Sequence, residues 1–312
     1  MAHTHSHFNL SDFKENKNAL KRWAAYASVF VSLILIGAKT YAWYSTHSIS
    51  LLSSLADSVL DCVASVINML AIQLALKPAD EEHKFGHGKI EALAALFQSL
   101  IIVLSATFVL KEAMERIFDP QPIEKPVIGL IVTGIAIVLT SLLVRFQHYV
   151  IHKTKSMAIL ADCTHYKADL YLNIGVLASI GVYILFEWRY VDILFGTGTA
   201  LYIMFTTYKI ISSALKVLLD NELPVPDRQK ILAIVEAHPQ IKKCCHLKTR
   251  SSGQEEFIQG HLIMNPKVTM KQAHHAALEI KKEILHLYPN AECVFQISPL
   301  YSKKDSHENC CS

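Results

Sequence analysis

The segment SLADSVLDCV, residues 54–63, lies in one of the most apolar stretches of the chain, yet it carries Asp57 and Asp61 and no basic residue. On a helix, residues four apart share a face, so the two carboxylates repel each other. Burying such a pair in lipid is costly, and ionisable residues inside a membrane helix mark functional positions. The apolar run around them, Ile49–Leu76, is one of six such stretches. The others are Trp23–Tyr44, Ile90–Leu110, Val127–Val144, Leu170–Phe186 and Val191–Ile211. A spanning helix needs roughly 20 mostly apolar residues, and six runs of this kind predict six membrane crossings. The fifth run is short, and its helix is expected to begin near Met157, with polar residues in its first half.

Composition agrees. The 312 residues are 52% hydrophobic and 18% charged, against about 25% charged in a soluble domain. Lys and Arg concentrate in the N-terminal segment (Lys14, Lys17, Lys21, Arg22) and in the second and fourth loops (Lys77, Lys84, Lys89; Arg145, Lys153, Lys155). The opposite loops are poorer, with Arg116 and Lys125, then Arg189. The positive-inside rule therefore expects both termini in the cytoplasm. The first 22 residues are polar and resemble no cleavable signal peptide. Membrane topology accounts for the net charge of +3 without a nucleic-acid partner.

After Asp220 the texture changes. NELPVPDRQ (221–229) is a Pro-punctuated link. A helix over Pro226–Ala237 follows, then strands at His246–Arg250 and Phe257–Met264 joined by SSGQEE (251–256). A helix over Thr269–Leu287, with Thr269 as N-cap, and a strand at Glu292–Ile297 complete the order αββαβ. The expected fold is thus an α-helical membrane protein with six transmembrane helices plus a cytoplasmic α+β domain, its helices on one face of a three-stranded sheet. The expected divisions are a cytoplasmic tail (1–22), the transmembrane domain (23–219), the αββαβ domain (220–300) and a flexible, Cys-containing tail (301–312).

The fifth span reads LADCTHYKADLYLN (160–173) and offers His165 and Asp169, again four apart. Two helices that each present two ligands can close Asp57, Asp61, His165 and Asp169 around one ion. One imidazole nitrogen with three carboxylates suits Zn²⁺ and tolerates Fe²⁺, Cd²⁺ or Mn²⁺. A cation between them offsets the repulsion of the aspartates. The other reading is that Asp57 and Asp61 line a wet cavity or pair with Lys39 or Lys167. Asp162, one turn before His165, is placed to orient the imidazole.

Asp-x-x-x-Asp in the second span with His-x-x-x-Asp in the fifth resembles the cation diffusion facilitator family. The loop PADEEHKFGHGKIEALAAL (78–96) is similar to that family's bacterial zinc and ferrous-iron efflux branch. The likeness extends over nearly the whole chain and implies a ferredoxin- or metallochaperone-like cytoplasmic domain. It implies a homodimeric metal–proton antiporter of the inner (plasma) membrane that works by alternating access. Asp57, Asp61, His165 and Asp169 would be its transport site, and Asp80, His83 and His87 a second metal site. Lys89 and Asp220 would form a charge interlock at the dimer centre. Zn²⁺ is then cargo and a possible regulator, protons the counter-ion and lipid the surroundings. No nucleotide motif is present: GHGK (86–89) lacks the P-loop pattern, so an ion gradient is expected to drive the transport.

The resemblance weakens in the cytoplasmic domain. The family's strand ligands correspond to Cys245 and His261, with His274 on the helix also matching, but Gln296 and Ser298 stand where a His and an Asp are usual. Five of the seven cysteines, 244, 245, 293, 310 and 311, lie in this region. A thiolate site with Cys245 and His261 at its core, completed by Cys310 or Cys311, is one expectation and free thiols the other. Neighbouring strand residues face opposite ways, so only one of Cys244 and Cys245 serves a given site. The N-terminal His3, His5 and His7 either gather metal loosely or form a polar tail. Two rivals to the exporter stay open: a membrane metalloenzyme, which would lack any H-E-x-x-H motif, and a passive channel or regulatory scaffold.

Overall fold

Among the described residues, six long helices form the first part of the chain: α1 (Leu10–Thr46), α2 (Ile49–Ala75), α3 (Lys89–Phe118), α4 (Val127–Thr154), α5 (Met157–Phe186) and α6 (Val191–Leu218). The structure is a computed structural model that describes residues 10–46, 49–118, 127–186, 191–253 and 255–300. His3, His5, His7, Lys125, Arg189, Cys310 and Cys311 fall outside the described residues. Among the described residues, five helices are long and apolar enough to cross a membrane: α1, α2, α3, α4 and α6. The sixth, α5, carries Asp162, His165, Lys167 and Asp169 in its first half. It begins at Met157, as the sequence predicts, because the Ser156 hydroxyl caps it by accepting the Ile159 N–H at 3.4 Å.

Small residues set the packing of this bundle. Ala24, Ala25, Ser28, Ser32 and Ala42 on α1, and Ser58, Ala64, Ser65 and Ala71 on α2, are buried. Trp23, Phe30, Tyr41, Leu60 and Phe108 face outward. Lipid is as apolar as Leu, so membrane helices gain little by hiding large side chains and associate where small residues let the backbones approach. Helix α1 packs on α2 and α4, α4 on α5, and α3 on α2 and α5.

The chain divides into two compact units, Met1–Leu215 and Lys216–Ser312. The second unit contains α7 (Val225–Ala237), β1 (Ile241–Ser251), β2 (Glu256–Met264), α8 (Met270–Leu287) and β3 (Glu292–Pro299), the expected αββαβ order. The strand order is β1-β2-β3, with β1 antiparallel and β3 parallel to β2. The α8 crossover makes the parallel pairing feasible. Thr269 caps α8 in a reciprocal capping box with Gln272. Ile231 and Val235 of α7 and Ala273, Ala276, Ile280 and Ile284 of α8 pack with Ile258 and Leu262 into one core.

Strand β1 starts at Ile241, ahead of the predicted His246. A bulge lies between Cys245 and Lys248, and His246 has φ of 51°. The irregularity interrupts the period-two pattern by which a strand is recognised, so only its second half is visible in the sequence.

Candidate metal-transport site

The bundle brings α2 and α5 together at their polar turns. His165 Nε2 lies 3.0 Å from Asp61 Oδ1 and 3.7 Å from Asp169 Oδ2. One ligand atom from each of the three residues lies within 4.8 Å of the others. His165 is buried, whereas Asp61 and Asp169 are half-buried. Their i, i+4 spacings put the ligands on facing helix surfaces, as the sequence requires.

The fourth predicted ligand, Asp57, stands outside this cluster, one turn nearer the α2 N-terminus. It lines the same cavity of about 170 Å³ as Asp61, Asp169, Lys39 and Asn173. Four residues advance a helix by about 6 Å, which accounts for the offset. In the sequence Lys39 reads only as an ion-pair partner of the aspartates. Its ammonium instead donates to Ser58 Oγ at 2.6 Å and to the Ser54 carbonyl at 3.0 Å.

Below the cluster a polar web fixes the α5 register. The Tyr166 hydroxyl donates to the Ser28 carbonyl at 3.2 Å and pairs with Ser65 Oγ at 2.8 Å. Asn68 Nδ2 donates to the Ala158 carbonyl. Asp162 does not orient His165 as expected: its Oδ2 accepts from Ser28 Oγ at 2.6 Å and from Gln147 Nε2 at 2.7 Å. That carboxylate therefore joins α1, α4 and α5. A second buried link, which the sequence does not announce, runs from Lys21 Nζ to Glu91 Oε1 at 2.6 Å and from Ser156 Oγ to Glu91 Oε2 at 2.6 Å. By sequence alone, Lys21 reads only as a topology charge.

The loop after α2 also gathers its predicted residues. Asp80 Oδ1 accepts from the His83 backbone N–H at 2.6 Å and the Glu82 N–H at 3.1 Å, and lies 3.2 Å from His83 Nδ1. Asp80 Oδ2 is 3.3 Å from His87 Nε2. Gly86, with φ of 73°, makes the turn that returns His87 to Asp80, a conformation that side chains other than Gly rarely adopt. The His83 backbone N–H, and then the rings of His83 and His87, hold the Asp80 carboxyl below the usual carboxylate range. The His87 Nδ1 is buried without a partner, so its ring keeps a polar atom unsatisfied. Three ligand groups within 4.8 Å suit a divalent cation with a position left for water.

In the second unit the β1–β2 register sets Cys245 opposite His261, and β2–β3 sets His261 opposite Gln296. The ring of His246 stands 5.3 Å from that of His261. Cys244 and Cys293 belong to the apolar core, where burial pushes each thiol up to about 11. Cys245 lies outside that cluster but is also buried, and it is engaged in a disulfide. Asp220, with φ of 55°, pairs with Arg250 at 3.1 Å, and Lys89 begins α3.

Residues 25–219 match the cation efflux transmembrane domain, and residues 223–300 match the cytoplasmic domain of cation efflux proteins. The chain is 39% identical over 280 residues to the cation-efflux pump FieF of Citrobacter koseri, covering 90% of this chain and 93% of the relative. It is 38% identical over 276 residues to the Salmonella arizonae FieF, covering 88% and 92%. A solved zinc form of CzrB is 20% identical, with a TM-score of 0.25, and the match covers 28% of this chain and 99% of that one.

Proposed function

The chain belongs to the cation diffusion facilitator (cation efflux) family, and we propose from that premise that it exports a divalent transition metal from the cytoplasm in exchange for protons. Members of this family are transporters and not enzymes, which removes the metalloenzyme reading. Zn²⁺ is the first candidate cargo. The observation that carries the proposal is the convergence of Asp61, His165 and Asp169 within the bundle. An imidazole nitrogen among carboxylate oxygens suits Zn²⁺ and admits Fe²⁺, Cd²⁺ and Mn²⁺. A shift of Asp57 toward the cluster would supply the fourth ligand.

The same geometry supports proton exchange. At 3.0 Å, the His165–Asp61 contact holds one proton, whichever group carries it. Metal needs the lone pairs that this proton occupies, so loading expels it and release invites one back. Cytoplasmic metal leaves, and external protons enter, as the bundle alternately opens the site to each side of the membrane. One pH unit supplies about 1.4 kcal/mol per proton, and membrane potential adds about 2.3 kcal/mol per charge per 100 mV.

The remaining assignments follow the family. The protein resides in the inner membrane with both termini in the cytoplasm and works as a homodimer. Asp80, His83 and His87 hold a second cation at the cytoplasmic loop. Lys89 and Asp220 form the charge interlock of the dimer, for which Asp220 would share or leave Arg250. With its disulfide reduced, Cys245 binds regulatory zinc together with His261. Uptake by reconstituted vesicles of Zn²⁺, Fe²⁺, Cd²⁺ and Mn²⁺ in turn, under an imposed pH gradient, tests the proposal. Saturable uptake that favours Zn²⁺ supports it, and gradient-independent, non-saturating flux of all four points to a passive channel.

A further inference from the structure

The cavity beside the three converging ligands already contains a cation. Lys39 projects from α1 into it, and the same cavity wall includes Asp57, Asp61 and Asp169. An ammonium group within a membrane helix is costly and persists where it meets an opposing charge or has a function. Lys39 is not clamped onto a carboxylate. Ser58 Oγ and the Ser54 carbonyl, both on α2, take its protons at 2.6 Å and 3.0 Å. These two anchors flank Asp57 and precede Asp61 by three and seven residues. They hold the positive charge at the cavity wall, near the acidic groups but out of the position between α2 and α5 where the ligands converge.

Two consequences follow from charge alone. Without metal, the carboxylates of Asp57, Asp61 and Asp169 share one cavity wall, and the Lys39 charge lessens their repulsion. With metal, the same charge lies in one cavity with a divalent cation and opposes it. We propose that Lys39 is a tethered stand-in for the transported cation, stabilising the empty site and weakening the loaded one so that the metal is let go. The inference rests on the export reading and adds a residue that sets the balance between capture and release. Conduction through any site requires binding weak enough to permit departure.

Zinc uptake by vesicles, together with equilibrium zinc binding to the full-length protein, tests the role of Lys39. Lys39→Met removes the charge and keeps much of the stem. It is expected to lower KM for zinc and the dissociation constant about tenfold and to lower the maximal rate. Lys39→Arg keeps the charge and restores values near the parent. Ser58→Ala removes one anchor and keeps the charge, so it shifts KM less than Lys39→Met. Should the Met variant fail to insert, Lys39→Gln is the second neutral probe. The proposal is overturned if the neutral variant leaves KM within about twofold of the parent or raises it. It is also overturned if Arg behaves like Met, or if Ser58→Ala reproduces the Met effect, since packing or hydrogen bonding would then explain the change. A parent protein that binds zinc without moving it defeats the export reading, while the ratio of dissociation constants still decides the role of Lys39.

Discussion

His165 Nε2 stands 3.0 Å from Asp61 Oδ1, on helices whose contacting residues are 104 positions apart in the chain. The pair joins an imidazole to a carboxylate through one shared proton, at the position where a metal would replace that proton. Selectivity and coupling should therefore depend on the same atoms.

Replacing the imidazole tests that link. His165→Asp leaves an all-oxygen site, which favours harder ions such as Mn²⁺ and discriminates less for Zn²⁺. It also removes the imidazole that shares a proton with Asp61. Metal competition and the pH profile of transport should change together, and a profile identical to the parent would count against a coupling role for His165.

The Lys21–Glu91 pair should act as a structural lock. Its side chains are 6% and 3% exposed, and Ser156 occupies the second carboxylate oxygen. Lys21→Met leaves a buried carboxylate without its cation, a loss of about 3–5 kcal/mol in comparable cases. Thermal unfolding in detergent should show a marked fall in midpoint for Lys21→Met and partial recovery in Lys21→Met/Glu91→Gln. A double variant no more stable than the single one would show that charge burial is not the cause.

In the loop, the fold favours the charged form of Asp80, so its hydrogen bonds persist at neutral pH and fail only as pH falls through its lowered range. Asp80→Asn should weaken zinc binding to the loop at neutral pH, read by zinc titration in an Asp61→Ala background. Binding at the parental affinity would refute Asp80 as a ligand of this site.

The thiols of the cytoplasmic domain should divide sharply. Cys244 and Cys293, pushed up to about 11 by burial, remain protonated at neutral pH and make poor metal ligands. With Co²⁺ as a stand-in for zinc, the fully reduced protein should give an intense near-ultraviolet thiolate band. Cys245→Ser should remove that band, and Cys244→Ser and Cys293→Ser should not. Absence of the band in the reduced parent would mean that the cysteines are bystanders.

The parts of this architecture legible in the sequence are those fixed by local period. Asp57 and Asp61, or His165 and Asp169, announce a shared helix face by spacing alone, and Thr269 announces a helix start. Long-range partners are not legible. Glu91 meets Lys21 across 70 residues, and Asp162 meets Ser28 across 134. Nothing near Asp162 in sequence says that its carboxylate turns toward α1 and α4 and away from His165. Lys39 likewise reads as an ion-pair partner for the aspartates until the α1–α2 packing places Ser54 and Ser58 within reach of its ammonium. The β1 bulge at His246 hides the first half of its strand for the complementary reason, a local break in a period that tertiary pairing tolerates.

Zinc uptake by vesicles containing Asp61→Ala is the most direct test of the transport site. The substitution removes the carboxylate nearest His165 and leaves Asp57 and Asp169 without a fully coordinated ion between them. Loss of an outer-shell group already weakens metal sites by roughly 10–100-fold, and loss of a ligand should exceed that. A site built on Asp61, His165 and Asp169 predicts no gradient-driven zinc uptake above protein-free vesicles, from a variant that still purifies in the parent's oligomeric form. Uptake at the parental rate would contradict it.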